Sequence, residues 1–309
     1  MISIQGLRVD YDTVTAVAGV DLEVHEGEIV GLVGPNGAGK TSLIKAAAGL
    51  IEPIGGRIVL AGADMLLDPE KGWLHMGYMP DFSPVYEGLK VWEYLEVFAV
   101  AYRIPMQERM GRIKYWVERL NLNSKWDECI QGLSRGMRQR LVLAKTLLHQ
   151  PDVLLLDEPA SGMDPLGRID LREILKERAR EGVAVLISSH ILSEMDELCT
   201  SLAVMEKGVF LVSGTLADIR STLRSESRLH IQLIPPVESA IELLEKWPGI
   251  SGVQAKDSHT YTADFSGGEE SAADLLAALH HAGARVSSFS REPEKMESLF
   301  LQIGGKEVS

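Results

Sequence analysis

Apolar residues arrive along this chain in short unbroken runs closed by glycine, serine or acidic residues. Ile29–Val33, Val153–Leu156 and Val183–Ile187 are of this kind, and they predict strands buried on both faces, as in a parallel sheet. Polar residues follow each run, where a parallel sheet places its active edge. Between the runs the spacing turns helical, at Thr41–Leu50, Val91–Tyr102, Arg109–Leu120, Arg138–His149 and Arg168–Arg180. In the last of these Leu171, Ile174, Leu175 and Arg178 share a face, with Lys176, Glu177 and Arg180 turned outward. The pattern predicts an α/β domain over residues 1–222, interrupted by a mostly helical insert at about 85–130. After Gly214 the texture changes. Leu229–Ile234, Ile250–Lys256, Thr260–Phe265 and Arg285–Ser290 read as strands, with helices at Ser239–Lys246 and Ser271–Gly283. That order, βαββαβ, predicts a small ferredoxin-like α+β domain over 223–309, with a last helix at Lys295–Ile303.

Candidate chemistry sits at the ends of the three runs. Gly34-Pro35-Asn36-Gly37-Ala38-Gly39-Lys40-Thr41 fits G-x-x-x-x-G-K-[ST], between a strand and the helix that continues through Ser42. Its glycines let successive N–H groups turn inward toward phosphate, and the helix adds the positive end of its dipole. Lys40 supplies a charge to the β- and γ-phosphates, and the Thr41 hydroxyl suits Mg²⁺. The second run ends in Asp157-Glu158. A buried strand fixes Asp157 beside an ion at Thr41, and Glu158, pointing differently, can accept a proton from attacking water. His190 follows the third run and Ser188-Ser189. A γ-phosphate contact and a structural role are both open to it.

Composition narrows the partners. The net charge of −13 repels phosphodiester backbones, so nucleic acid is not expected as a partner. Cys129 and Cys199 are too few and too far apart in sequence for a disulfide framework, and read as packed thiols in a reducing cytoplasm. Met1–Asp10 lacks the layout of a signal peptide, and no apolar stretch approaches the roughly 20 residues of a spanning helix. Any membrane part would belong to another chain.

Leu133-Ser134-Arg135-Gly136-Met137, followed by Arg138-Gln139-Arg140 and then by Asp157-Glu158, resembles the signature of ATP-binding-cassette (ABC) proteins. The resemblance spans about residues 1–222. In order it runs through the aromatic Tyr11, the phosphate loop, Gly77-Tyr78-Met79-Pro80-Asp81, the signature, the acidic pair, Ser161-Gly162-Met163-Asp164 and His190. It implies a P-loop nucleoside triphosphatase fold with a mixed sheet, and a Mg-dependent ATPase working as a head-to-tail homodimer. Each ATP would lie between one subunit's phosphate loop and the other's Ser134 and Gly136. Tyr11 would stack on adenine (a half-buried strand tyrosine is the competing reading), and Asp164 is the acidic member of the loop between the sites.

Three departures from the family pattern stand out: Arg135 for a glycine, Met137 for a glutamine and Asp81 for a glutamine. Asp81 would then be a Mg²⁺ ligand or a water-orienting group. The Gly77–Asp81 loop, the segment from Tyr86 through Pro105 and the tail Glu292–Leu301 resemble the cassette subunits of bacterial two-component exporters. This implies a separate integral-membrane permease and a place at the cytoplasmic face of the cell membrane. Phe82, Tyr86, Trp92, Tyr94, Phe98 and Tyr102 either form part of the permease groove or pack the insert's own core. The alternative, a soluble ABC ATPase of chromosome maintenance or translation, fits less well. The former needs a long coiled coil between phosphate loop and signature, and the latter usually has two cassettes in one chain.

Overall fold

The computed structural model describes residues 1–82, 84–222, 227–234, 238–257 and 259–292. The chain divides into two compact units, Met1–Leu216 and Ala217–Ser309, slightly ahead of the 222/223 boundary expected from the sequence.

The first unit opens with β1 (Ile2–Tyr11) and β2 (Val14–Val24), followed by β3 (Ile29–Val33) and α1 (Lys40–Ala47). Next come β4 (Gly55–Leu60), β5 (Ala63–Asp64), α2 (Pro69–Trp73) and β6 (Met76–Met79). The helical insert holds α3 (Val91–Ala101) and α4 (Met106–Arg119), and leads into α5 (Arg135–Leu147). The unit closes with β7 (Val153–Asp157), α6 (Pro165–Arg180), β8 (Ala184–Ser189), α7 (Leu192–Leu198), β9 (Ser201–Glu206) and β10 (Val209–Thr215). An antiparallel sheet has the order β2-β1-β4-β5. The second sheet, β10-β9-β3-β8-β7-β6, is mixed: β9, β3, β8, β7 and β6 run parallel, and β10 returns antiparallel. The five residues of β3 and of β7 are all buried, as their unbroken apolar runs require.

The sequence reading passes over β1, β2, β4, β9 and β10, and for the first two the structure shows why. The β1–β2 register shifts at three places, and Gly6 sits at φ +57°, so strict alternation is lost. Gly77–Met79, expected in a loop that runs to Asp81, belongs to β6, whose partner is β7. Helices also begin earlier than their apolar spacing suggests. Ser134 caps α5 by accepting from Met137 N–H, and Asp164 with Pro165 opens α6. In α6, Glu177 is half-buried rather than turned away, because Arg119 of α4 reaches it at 2.9 Å.

Among the insert's aromatics, Tyr94 is buried against Phe98, Trp92 stacks on Trp126, and Tyr102 lies flat on His149. They pack the insert's own core. Phe82 and Tyr86 are 84% and 61% exposed. Cys199 is buried and free, its thiol pushed up by burial; Cys129 is also free but half-buried rather than packed away. Among the described residues no helix is long and apolar enough to cross a membrane.

The second unit takes in all of α8 (Leu216–Thr222) but its first residue and continues through β11 (Ser227–Leu233), α9 (Glu238–Lys246), β12 (Ile250–Ala255), β13 (Thr260–Phe265), α10 (Glu269–His281) and β14 (Val286–Glu292). The four strands form an antiparallel sheet, β12-β13-β11-β14, with the first and third strands of the βαββαβ order at its centre, as in ferredoxin-like folds. Leu229, Ile231 and Phe265 from the sheet pack with Leu275 and Leu279 from α10. The helix expected at Lys295–Ile303, and all but the first residue of the tail Glu292–Leu301, lie outside the described residues.

Candidate functional site

The phosphate loop joins β3 to α1, and two of its glycines are dictated by packing. A Cβ on Gly34 would come within 2.1 Å of the Met205 carbonyl, and one on Gly39 within 2.2 Å of the Ala16 carbonyl. Gly39 also has φ +109°, and Gly37 sits at φ +84° with open space around it. Pro35, Asn36 and Gly37 are exposed while Ala38 and Lys40 are buried, so the loop is anchored at both ends around an open crest. Lys40 Nζ donates to the Gly34 and Pro35 carbonyls at 2.6 and 3.1 Å. Burial lowers its pKa, against the opposing fields of Glu158 and Asp157, which places all three charges in one neighbourhood. Thr41 and Ser42 follow on the first turn of α1, Thr41 exposed.

Asp157 ends β7 and is 1% exposed. Its Oδ1 accepts from Ser188 Oγ at 2.6 Å, and the same hydroxyl accepts from the Glu158 N–H at 3.0 Å. Glu158 turns the chain at φ +48°, an unusual conformation for a glutamate. Its Oε2 lies 2.8 Å from His190 Nδ1. Burial raises the Glu158 pKa, while His190 and Lys40 pull it down. A carboxyl with a raised pKa that stays bonded to an imidazole suits proton transfer to and from water. A cavity of about 190 Å³ opens beside the pair, lined by Glu158, Ser161, Gly162, Ser188 and His190 among others.

The signature opens α5. Ser134 is exposed at its N-cap and Gly136 lies in its first turn, where a Cβ would come within 3.2 Å of the Gly162 carbonyl. Arg135 Nη2 donates to Ser161 Oγ at 3.1 Å, Gln139 Nε2 to the Pro159 carbonyl at 3.4 Å, and Arg140 Nη2 to Asp164 Oδ1 at 2.5 Å. The hydrogen bond from Arg140 holds the Asp164 pKa below the usual carboxylate range. Tyr11 stands 45% exposed at the end of β1. Its neighbour strand β2 brings Ala16 against Gly39. Asp81 is exposed just past the end of β6, on the same sheet edge as Asp157.

The structure thus brings Lys40, Asp157, Glu158 and His190 together, and ties Ser134–Gly136 to the 159–164 loop. Sequence reasoning assigned no role to Ser188, Gln139 or Arg140. Ser188 carried a usable signal, a hydroxyl breaking a buried apolar run, and pairing of β7 with β8 sets it beside Asp157.

Comparisons with known proteins identify the family. Residues 17–161 match the family described as ABC transporter. The chain is 32% identical, over 96% of its length and 85% of the relative's, to an uncharacterised ABC transporter ATP-binding protein of a Nostoc species. It is 28% identical, over 100% of its length and 92% of the relative's, to the Nod factor export ATP-binding protein I of Cupriavidus pinatubonensis. A solved structure described as the ATP binding subunit of an ABC transporter superposes with a TM-score of 0.68 at 31% identity, covering 72% of this chain and 92% of that one. The chain belongs to the family of ABC transporter ATP-binding proteins.

Proposed function

We propose that this protein hydrolyses ATP as the motor subunit of an exporter, with Glu158 as general base. The observation that carries the reading is the junction of the phosphate loop's Lys40 with Asp157, Glu158 and the Glu158–His190 pair. Gly34–Thr41 and Ser42 would cradle the phosphates, Lys40 exchanging loop carbonyls for phosphate oxygens, and Tyr11 would stack on the adenine. The Thr41 hydroxyl and the Asp157 carboxylate are hard oxygen donors suited to Mg²⁺, with Asp81 on the same edge as a further candidate. Among the described residues no group of three or more His, Cys, Asp or Glu side chains could hold a metal alone. An ion here would be held by one or two protein oxygens together with the substrate's phosphates. Once bound, Mg²⁺ supplies charge neutralisation for the departing diphosphate. Glu158 takes a proton from water as the water oxygen bonds to the γ-phosphorus and the bond to the β-phosphate oxygen breaks. His190 holds the carboxylate in place. Because burial raises the Glu158 pKa, the acid limb of the rate profile lies above the ordinary glutamate range.

Ser134 and the Gly136 N–H, at the start of α5, would cap the γ-phosphate of a second copy, giving a homodimer with two ATPs at its interface. Exposed Phe82 and Tyr86 offer an apolar contact for a membrane permease, which would hold the protein at the cytoplasmic face of the membrane. Export rather than import rests on the full-length similarity to the Nod factor export protein.

The test is size-exclusion chromatography of the full chain with MgATP in the Glu158→Gln background, followed by pull-down from gently solubilised membranes. We expect an ATP-dependent dimer that Ser134→Arg abolishes without loss of nucleotide binding, and a polytopic membrane protein that co-purifies. A Ser134→Arg chain that still dimerises would remove the shared site. Recovery of ribosomes or chromatin in place of a membrane protein would remove the transport role.

A further inference from the structure

Arg135 is the first residue of α5, and the structure gives it a definite partner. Its Nη2 donates to Ser161 Oγ at 3.1 Å, and its stem lies across Gly162. A Cβ on Gly162 would come within 2.6 Å of Arg135 Nε, so the glycine, at φ +75°, leaves the space that the arginine fills. Ser161 in turn donates its backbone N–H to the Glu158 carbonyl at 3.0 Å, and Glu158 Oε2 meets His190 Nδ1 at 2.8 Å. These hydrogen bonds therefore lead from the signature helix through Ser161 to the main-chain carbonyl of the residue assigned as base. Gln139 and Arg140 grip the same loop at Pro159 and Asp164. They hold its two ends, and Arg135 holds its middle, the residue bonded to Glu158. Among the described residues Arg135 forms no ion pair. Its charge stays available, and its partner is a neutral hydroxyl.

Resting on the function proposed above, we infer that Arg135 is a positioning residue: through Ser161 it sets the Glu158 main chain, and so links the signature helix to the same subunit's catalytic carboxylate. Glu158 has an unusual left-handed backbone, which persists when neighbouring contacts over-determine it, and the Ser161 turn is one such contact. When a partner's phosphate fixes the first turn of α5, Arg135 carries that constraint to Glu158. The link needs a side chain long enough to reach Ser161, which a glycine at this position would lack.

The test is steady-state ATP hydrolysis by the full chain and its Arg135→Gly, Arg135→Lys, Ser161→Ala and Arg135→Gly/Ser161→Ala variants. Interaction energies between contacting residues correspond to about a tenfold change. We expect Arg135→Gly and Ser161→Ala each to lower kcat about tenfold with KM for ATP held within about twofold. The double variant should lose no more than either single one, and Arg135→Lys should recover most of the rate. In the Glu158→Gln background, Arg135→Gly should leave the residual rate and the ATP-dependent dimer unchanged, because its effect passes through that carboxylate. Multiplicative losses in the double variant, a loss confined to KM, or a further loss on top of Glu158→Gln would overturn the assignment. Normal turnover by Glu158→Gln itself would instead remove the base, and with it the residue through which Arg135 acts.

Discussion

In the cassette unit β3, β6, β7 and β8 run the same way, so the residues that follow them collect at one sheet edge. The phosphate loop, Asp81, Glu158 and His190 are all successors of those strands. In the C-terminal unit β11 runs against both of its neighbours, β13 and β14, so the residues following its strands divide between two edges. The two units also differ in what they bury. Burial shifts Lys40, Glu158, Lys145 and His149 in the cassette unit. Among the described residues of the C-terminal unit the shifted group is Asp257, at the surface, lowered first by the His259 backbone N–H. A parallel sheet concentrates chemistry and bears the cost of burying it; the antiparallel one packs an apolar core.

The largest effect should come from Glu158→Gln. It keeps the side chain's shape and removes its ability to take a proton, so kcat should fall by about 10²–10⁴-fold while ATP binding is retained. Single-turnover hydrolysis beside an ATP-binding titration measures both quantities. Near-normal turnover would remove the chemistry from this edge. On the other side of the comparison, Ile231→Ala should cost about 2–5 kcal/mol, because Ile231 is 1% exposed at the centre of the C-terminal sheet. Denaturant unfolding reads that loss. Turnover per folded molecule should not change, and a parallel drop in kcat would break the division between the units.

Acid should separate the units next. His149 stacks on Tyr102, bonds the Met76 carbonyl at 3.1 Å through Nε2, and is pushed down by burial to about 4 from 6.5. Between those values the unfolded chain binds a proton that the folded chain does not. The stability present above pH 6.5 is therefore lost as pH falls toward 4, by about 3 kcal/mol. Asp257, whose pKa is lowered from 3.8, loses its contribution only below that range. Unfolding midpoints at pH 7 and pH 4.5 should show the cassette unit weakening first, and His149→Gln should flatten its profile. An unchanged profile in that variant would move the acid sensitivity elsewhere.

What the sequence revealed follows the same line. Strands β3, β7 and β8 were legible because a strand buried on both faces needs an unbroken apolar run, and the phosphate loop because backbone curvature demands glycine at fixed spacing. In the C-terminal unit β11 was legible from clean alternation, as in Leu229 and Ile231. Strands β1 and β2 were not, since bulges interrupt their alternation. Strand β6 was too short to stand out beside Pro80. The pairing of Glu158 with His190 joins residues far apart in the chain, and the bridge made by Ser188 depends on the register that sets it opposite Asp157. No local pattern reports register between strands separated by a helix.

The smallest predicted effects give the finest form of the comparison, because each unit offers a buried strand serine. Ser188 Oγ donates to Asp157 and accepts from the Glu158 N–H. Ser227 Oγ donates to the Phe265 carbonyl at 3.1 Å and accepts from Arg291 Nε at 2.7 Å. Alanine at either position leaves polar groups unpaired, at about 1–3 kcal/mol. In Ser188→Ala the unpaired groups are the buried carboxylate assigned to Mg²⁺ and the N–H of the base, so the same loss should appear as roughly a tenfold fall in kcat. In Ser227→Ala it should appear only in the unfolding curve. Equal kinetic losses in the two variants would mean that the C-terminal sheet, for all its distance in sequence from the phosphate loop, helps to set the geometry of hydrolysis.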